Sequence, residues 1–485
     1  MNSKIDPYNE EVGRIYASDP DFFMFSPVFC RCEGPPQLFT FWASGYTKVP
    51  PAHFISLLLF GGKILRDLAL SLTAERIELS DPLERDVFVF SYFDSRNSDN
   101  GTLREEYFQG ILEGNQKVLC FYKLVSPGLY RRGVRYLKLI ASLKKNFFAC
   151  AEHSFISPGM VLEAVGLTLL HWVRFKTMRF ADGRENPVSE LLKSAHLREI
   201  KDGTVYSGYI QKLLFEKLLH HHPRVILFVW ENSTWERILE HVKKQISPAT
   251  ISRGFQHTGF SKKNLQHYPS CFEGRLNTYP DYILCNGDVT REELQRNQAI
   301  SSKIITGGAL RQTSLLRKGM GKIPDLSSAQ SLNLVFAFSW DQSTYDQILA
   351  DLKRLPGGVT VHLKFHPMFP DWLDRNDLPA RFINSRASWI ELGSTCSLVL
   401  AHDNSLMFEG YYHGMHTAVY DGPDPLGLEK RDFESPLLHL TQADLPSILS
   451  VEIINRINTS TRQMRQTRYL ERYFVHPEER DPFTC

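Results

Sequence analysis

The residues able to do chemistry in this chain fall just beyond short apolar runs. TVHLKFHP ends in Lys364, His366 and Pro367. A Lys and a His two apart on a strand project from the same side. Together they suit a phosphate, Lys by charge and His by a ring N–H; Pro367 ends the strand. SLVLAHDNSLMFEG runs into Asn404, Ser405 and Glu409. Asn404 or Ser405 can cap the following helix, and free N–H groups with a hydroxyl at a helix start attract an anion. Glu409, one turn on, can accept from ribose hydroxyls. FAFSWDQS offers Trp340 to stack on a base or sugar and Ser343 to meet a phosphate. Plain capping, a solvated basic strand and a buried Trp are the structural alternatives for these segments.

A second set has a different character. VFVFSYFD ends in Asp94, VILFVWE in Glu231 with Glu236 a turn later, and ISRGFQH in His257. The three strand ends thus offer two carboxylates, Asp94 and Glu231, and an imidazole, which suit a general base that deprotonates a hydroxyl for attack. Asp94 is placed first because it closes the earliest of these runs; a lone acid at such a place also serves as a turn former. IITGGALRQ adds Gly307 and Gly308, which permit close backbone approach, and Arg311, which suits a phosphate.

The positioning elements follow from the pattern. Continuous apolar runs are the mark of parallel strands buried on both faces, and amphipathic stretches such as TWERILEHVKKQ alternate with them. The order predicts an α/β fold with two doubly wound sheets, strands from about Asp86 to Gly308 and from Leu332 to about Asp421. The expected organisation is 1–310 on the acceptor side with a helical insertion, a connector at 311–331, a donor domain at 332–445 and a helical tail at 446–485. Two such domains place a cleft between them, and ligands bind beyond the carboxyl ends of the strands.

Composition narrows the classes. The chain has 485 residues, 42% hydrophobic and 23% charged, with a net charge of +2, which gives no global reason to expect nucleic acid as a partner. Eight cysteines form no CxxC pair; Cys30 and Cys32 make only CxC, while Cys120, Cys285 and Cys396 sit in apolar runs as core residues. Such usage fits a reducing cytoplasm. GxGxxG, GxxxxGK[ST], GxSxG and HExxH are absent, which excludes those nicotinamide, ATP, hydrolase and zinc fingerprints. His220–His222 precede Pro223 at a helix end and are not read as ligands, so neither a metal nor a cofactor is expected. FISLLLFGGKILRDLALSL is broken by Lys63, Arg66 and Asp67, and ISPGMVLEAVGLTLLHWV by Glu163; neither reads as a spanning helix.

In this order the elements resemble the two-domain (GT-B) glycosyltransferases of bacterial surface polysaccharides, of O-antigen and capsule type. The likeness is nearest to transferases of CMP-activated Kdo or sialic acid. Lys364, His366 and Pro367 match their K-x-H-P element, and Ser405 their phosphate-binding turn. WEN-x-x-WE, GFQH, YPDYILCNG and IITGG look like parts of the same group. The resemblance covers about Asp86 to Asp421. It implies an inverting, metal-independent transfer from a nucleotide-sugar donor, CMP-linked favoured, to a glycan or lipid-linked glycan. GFQHTGF is also similar to the His-Gly element of teichoic-acid polyol-phosphate transferases, where the His is a base; here Thr258 separates His257 from Gly259. A CDP-polyol phosphotransferase and a noncatalytic glycan-binding scaffold are therefore the alternatives. Seven cations and no acid between Lys123 and Cys150, interleaved with aromatic and aliphatic residues, suit an anionic membrane on its inner face, a solvated basic face or an acidic-glycan groove.

Overall fold

The computed structural model describes residues 11–15, 25, 54–74, 86–93, 98–99, 102–103, 107–108, 112, 118–124, 148–178, 187–257, 267, 269, 274–276, 278–339, 342–366, 378–402, 406–422, 437–466 and 469–477. Helix α1 (Phe54–Thr73) precedes strand β1 (Val87–Phe93), a short hairpin β2 (Ser98–Asp99) and β3 (Thr102–Leu103), β4 (Val118–Leu124) and β5 (Phe148–Ala151). Three helices follow: α2 (Pro158–Thr177), α3 (Pro187–Lys201) and α4 (Thr204–Leu219). Then come β6 (Val225–Val229), α5 (Thr234–Ile246), β7 (Ile251–Gln256), β8 (Tyr282–Cys285), α6 (Asp288–Gln295), β9 (Lys303–Thr306) and α7 (Thr313–Lys318).

The first sheet has the order β5-β4-β1-β6-β7-β8-β9, with every pairing parallel. Its strands alternate between two buried faces. Phe88, Phe90, Phe121 and Phe228 join the core under the helices, while Val87, Val89, Val118 and Leu227 join a core on the other side. That double burial is why the runs read as continuously apolar. A buried polar chain ties α2, α3 and α4: Tyr209 Oη lies 3.0 Å from His171 Nδ1, His171 Nε2 lies 3.0 Å from His196 Nε2, and His196 Nδ1 lies 3.0 Å from Glu199. Burial holds both imidazoles far below their ordinary range, so the two rings are neutral.

The second unit contains β10 (Leu332–Ala337), α8 (Tyr345–Leu352), β11 (Val359–Lys364), β12 (Phe382–Asn384), α9 (Trp389–Thr395), β13 (Leu398–Ala401), α10 (Leu406–Tyr412), β14 (His416–Asp421) and β15 (Leu438–Thr441). Its sheet has the order β12-β11-β10-β13-β14-β15, again all parallel. Both sheets run outward in two directions from a first strand, the doubly wound Rossmann-like pattern. Residues 319–326 are set against this unit, with Gly321 N–H donating to Tyr412 O at 2.9 Å and Pro324 O accepting from His416 at 2.6 Å.

The chain ends by returning. Helix α11 (Val451–Gln466) buries Ile453, Ile454 and Ile457 in the second core, and α12 (Tyr469–Tyr473) packs on α6 of the first unit. Val475 N–H donates to Asn286 O at 3.0 Å and Val475 O accepts from Ala309 N–H at 2.8 Å. Tyr473 and Phe474 share one core with Val289 and Ala309 of the first unit and with Val399 and Tyr411 of the second. Cys120, Cys150, Cys285 and Cys396 are buried, and Cys150 Sγ lies 3.5 Å from Cys120 O. Among the described residues no helix is long and apolar enough to cross a membrane.

Candidate active site

In a doubly wound sheet the crevice opens beyond the carboxyl ends where the strand order reverses. In the first sheet that point lies between β1 and β6. Tyr92 stands near the end of β1, and Trp230 and Glu231 directly follow β6. His257 follows β7, the next strand. Its Nε2 lies 3.4 Å from Glu231 Oε1. The two side chains differ in exposure, 5% for the imidazole against 36% for the carboxylate, so water reaches the pair from the Glu231 side. Asp94 lies outside the described residues.

The turn that carries Glu231 is held from within. Its N–H donates to both carboxyl oxygens of Glu236, at 3.1 and 3.0 Å, and Ser233 Oγ donates to Glu236 at 2.7 Å. Asn232 takes a positive φ of 56° and its side-chain oxygen accepts from Arg237 Nε at 3.1 Å. Burial, and then the charge of Glu231, push the Glu236 carboxyl up to about 8. Trp235 Nε1 donates to Tyr92 Oη at 2.7 Å; burial, then Glu231 and Glu236, push that phenol well above its ordinary range. Lys123, at the end of β4, lies 5.0 Å over the Trp235 ring.

A line of contacts leads from this pair to the second sheet. Tyr107 meets the His257 ring edge-on at 4.8 Å, and the Arg311 guanidinium lies 5.8 Å over the Tyr107 ring. The neighbouring Gln312 donates from Nε2 to Glu409 Oε1 at 3.3 Å. Glu409 on α10 in turn acts on Lys364, raising an ammonium that burial lowers more strongly. Lys364 Nζ donates to Ala387 O at 2.9 Å and lies 5.4 Å over the Trp389 ring. On β11 the side chains of Val361 and Leu363 are buried, while His362, Lys364 and then His366 are half-buried. Phe365 points the other way and stacks on Phe338 at 4.5 Å. The second reversal lies between β10 and β13, with Ser339 and the buried His402 at its sides. Ser343 falls in a 3₁₀ turn, Gln342–Thr344; Trp340, Pro367, Asn404 and Ser405 lie outside the described residues.

Gly307 and Gly308 are accounted for by the chain itself. A Cβ at Gly307 would sit 2.6 Å from Leu284 Cβ, and one at Gly308, whose φ is +85°, 2.6 Å from Pro477 Cα. They seat the turn that delivers Arg311 and Gln312. Of the imidazoles at 220–222, His222 Nδ1 lies 3.0 Å from Ser247 Oγ; among the described residues no group of three or more His, Cys, Asp or Glu could hold a metal ion.

No family model and no curated protein sequence matches this chain. Among solved structures it is similar to HepE of Anabaena in complex with UDP-glucose, at 13% identity and a TM-score of 0.42, over 81% of this chain and 97% of that one. It is similar to the wall teichoic acid polymerase TagF at 10% identity and a TM-score of 0.39, over 87% and 89% of the two chains. It is also similar to the pneumococcal O-GlcNAc transferase GtfA in complex with UDP and GlcNAc, at 11% identity and a TM-score of 0.30, over 56% of each chain.

Several members of the line were not legible as site residues. Gln312 stands beside Arg311, yet an amide after a Gly-Gly turn gives no signal of its own. Tyr107 and Tyr92 carry no spacing that distinguishes them from core aromatics. Glu236 shows in WENSTWE as an acid in the first turn of α5, a common helix feature; its burial is what sets it apart.

Proposed function

We propose that this protein is a glycosyltransferase of the GT-B kind, moving a sugar from a nucleotide donor to a glycan acceptor by inverting, metal-independent transfer. The observation that carries the reading is the line from Glu231 and His257 to Glu409 and Lys364, which links the carboxyl edges of the two sheets. A base belongs at one end of such a site and a phosphate-binding cation at the other. His257 takes the acceptor hydroxyl proton while the Glu231 carboxylate holds the resulting imidazolium, or Glu231, the more exposed group, takes it directly. Asp94 is the third candidate. The acceptor oxygen bonds to the anomeric carbon, the bond from that carbon to phosphate oxygen breaks, and the nucleotide leaves. Lys364, His366 and Arg311 stabilise its charge, with Pro367, Asn404, Ser405, Glu409, Trp340 and Ser343 completing the donor pocket.

The K-x-H-P element favours a CMP-linked Kdo-like or sialic-acid-like donor. The acceptor reading is a surface glycan or its lipid-linked precursor, met in the cytoplasm at the inner face of the membrane. In domain terms, 1–310 holds the acceptor, 311–331 connects, 332–445 holds the donor and 446–485 is the tail. A second reading, transfer of polyol phosphate from a CDP donor, is favoured by the buried imidazole beside its carboxylate. Calorimetry against CMP, CDP, UMP and UDP tests nucleotide binding, and no binding to any of them returns the chain to the scaffold reading. Hydrolysis of CMP-Kdo or CMP-sialic acid, against CDP-glycerol, CDP-ribitol and UDP-glucose, then selects the donor.

A further inference from the structure

The turn after β9 and helix α10 meet across the cleft in a side-chain bond. Gln312 closes the 3₁₀ turn Leu310–Gln312, whose backbone is fixed. Leu310 lies in a core of the first sheet, and Gln312 N–H donates to Ala309 O at 3.0 Å. Glu409 follows Phe408 on α10, and Phe408 and Tyr411 are buried in the core that the two units share. Gln312 Nε2 donates to Glu409 Oε1 at 3.3 Å. The chemistry sets the orientation of the amide, since the flipped form would place its oxygen against a carboxylate oxygen.

The other end of this amide has no such partner. Gln312 is 6% exposed, and its Oε1 is buried without a hydrogen-bond donor among the described residues. A buried acceptor left unpaired costs more than the long bond to Glu409 contributes. An apolar side chain of the same length would fill the place at less cost, so stability does not account for a glutamine here and a ligand does. Glu409 is also incompletely matched. Lys364 feels its charge but gives its hydrogen bond to Ala387 O at 2.9 Å. Glu409 Oε1 takes the Gln312 amide, and among the described residues no hydrogen bond reaches Oε2. Two neighbouring oxygens, one on each side of the cleft, are thus both acceptors in need of a donor. The planar carboxamide keeps them close together. Adjacent acceptors match adjacent hydroxyls, a vicinal diol, and repel an anion. Glu409 is half-buried, so a rotation of the Gln312 side chain presents its Oε1 to the same ligand.

We propose that Gln312 joins Glu409 in reading the ribose diol of the nucleotide, and that Gln312 sets the preference for ribose over a sugar lacking both hydroxyls. The inference rests on the nucleotide-donor reading. The test is calorimetry of the full chain with CMP, CDP, UMP and UDP, each against its 2′,3′-dideoxy counterpart. The parent protein should favour the ribonucleotide at least about tenfold, as for hydrogen bonds to a charged group. Gln312→Met keeps length and removes both the amide donor and the unpaired acceptor. It should bind the ribonucleotide about 2- to 12-fold more weakly and leave the dideoxynucleotide unchanged. Its melting temperature should hold or rise, which a merely structural glutamine would not allow. Combined with Glu409→Gln, the loss should be less than the product of the two single losses, because the residues act together. Three results overturn the proposal alone: a ribose preference unchanged in Gln312→Met, independent losses in the double variant, or a lower melting temperature with both nucleotides weakened equally. Should Gln312→Met fail to fold, an unchanged ribose preference in Glu409→Gln overturns it. No binding of any nucleotide by the parent protein removes the nucleotide-donor reading, and this proposal with it.

Discussion

At the scale of single residues, the pairing of His257 with Glu231 converts three separate strand-end candidates into a geometric unit of two. Glu231→Gln and His257→Asn keep shape and remove basicity; each should lower kcat by about 10²–10⁴ while nucleotide affinity holds. Asp94→Asn is measured alongside, and a loss confined to that variant would move the base to Asp94. His366→Ala should weaken donor use about 10- to 150-fold, as expected for losing a hydrogen bond to a charged phosphate at roughly 1.5–3 kcal/mol. Unchanged nucleotide affinity in calorimetry would remove His366 from the pocket. Glu236 gives a stability prediction. Its folded-state carboxyl titrates near 8 against an ordinary value of 4.5. A raised carboxyl contributes stability that is fully present below pH 4.5 and is lost as pH rises to about 8. Between those limits the slope approaches about 1.4 kcal/mol per pH unit. Denaturant unfolding of Glu236→Gln should show a shallower decline over pH 5 to 8 than the parent protein.

At the scale of elements, β7 shows how a strand makes room for the site. A Cβ at Gly254 would stand 2.7 Å from Trp230 Cβ, on the residue before Glu231. Trp230 is 1% exposed and cannot move into water. Gly254→Ala therefore overpacks this place and should cost about 1–3 kcal/mol, read as a lower melting temperature. The shift passes to the Glu231 turn, so turnover should fall more than nucleotide affinity. The strand-end placement of both residues was legible, because apolar runs and their polar endings are local features. The distance between them was not, because it depends on β6 and β7 pairing side by side, with Trp230 N–H donating to Phe255 O at 2.7 Å.

At the scale of the whole molecule, the returning tail makes the two units one structure. Tyr473 is 1% exposed and its ring lies 4.2 Å from that of Phe408 on α10. Tyr473→Ala should cost about 3–5 kcal/mol, as large aromatic deletions do. Hydrogen exchange at the Val475 and Ala309 amides, which close this junction, should rise with it; unchanged exchange there would show that the tail does not hold the units together. The same junction places Gly308 and Pro477 against each other and so steadies the turn that carries Arg311 and Gln312.

The sequence by itself determined what local pattern can carry: parallel strands from continuous apolar runs, helices between them, and polar residues gathered at strand ends. It placed Glu231 and His257 after adjacent runs, and Lys364 and His366 after another, because strand ends are where the apolar pattern stops. Tertiary structure alone decided which ends meet. Strand order is a matter of long-range pairing, and nothing local records that both sheets reverse beside their first strands, β1 and β10. Nor does local pattern record burial: Glu236 and Lys364 look like surface charges, and it is the packing that buries them which pushes the Glu236 carboxyl up and the Lys364 ammonium down. The bond from Gln312 to Glu409 joins residues 97 apart, and only the packing of α10 against the turn after β9 creates it.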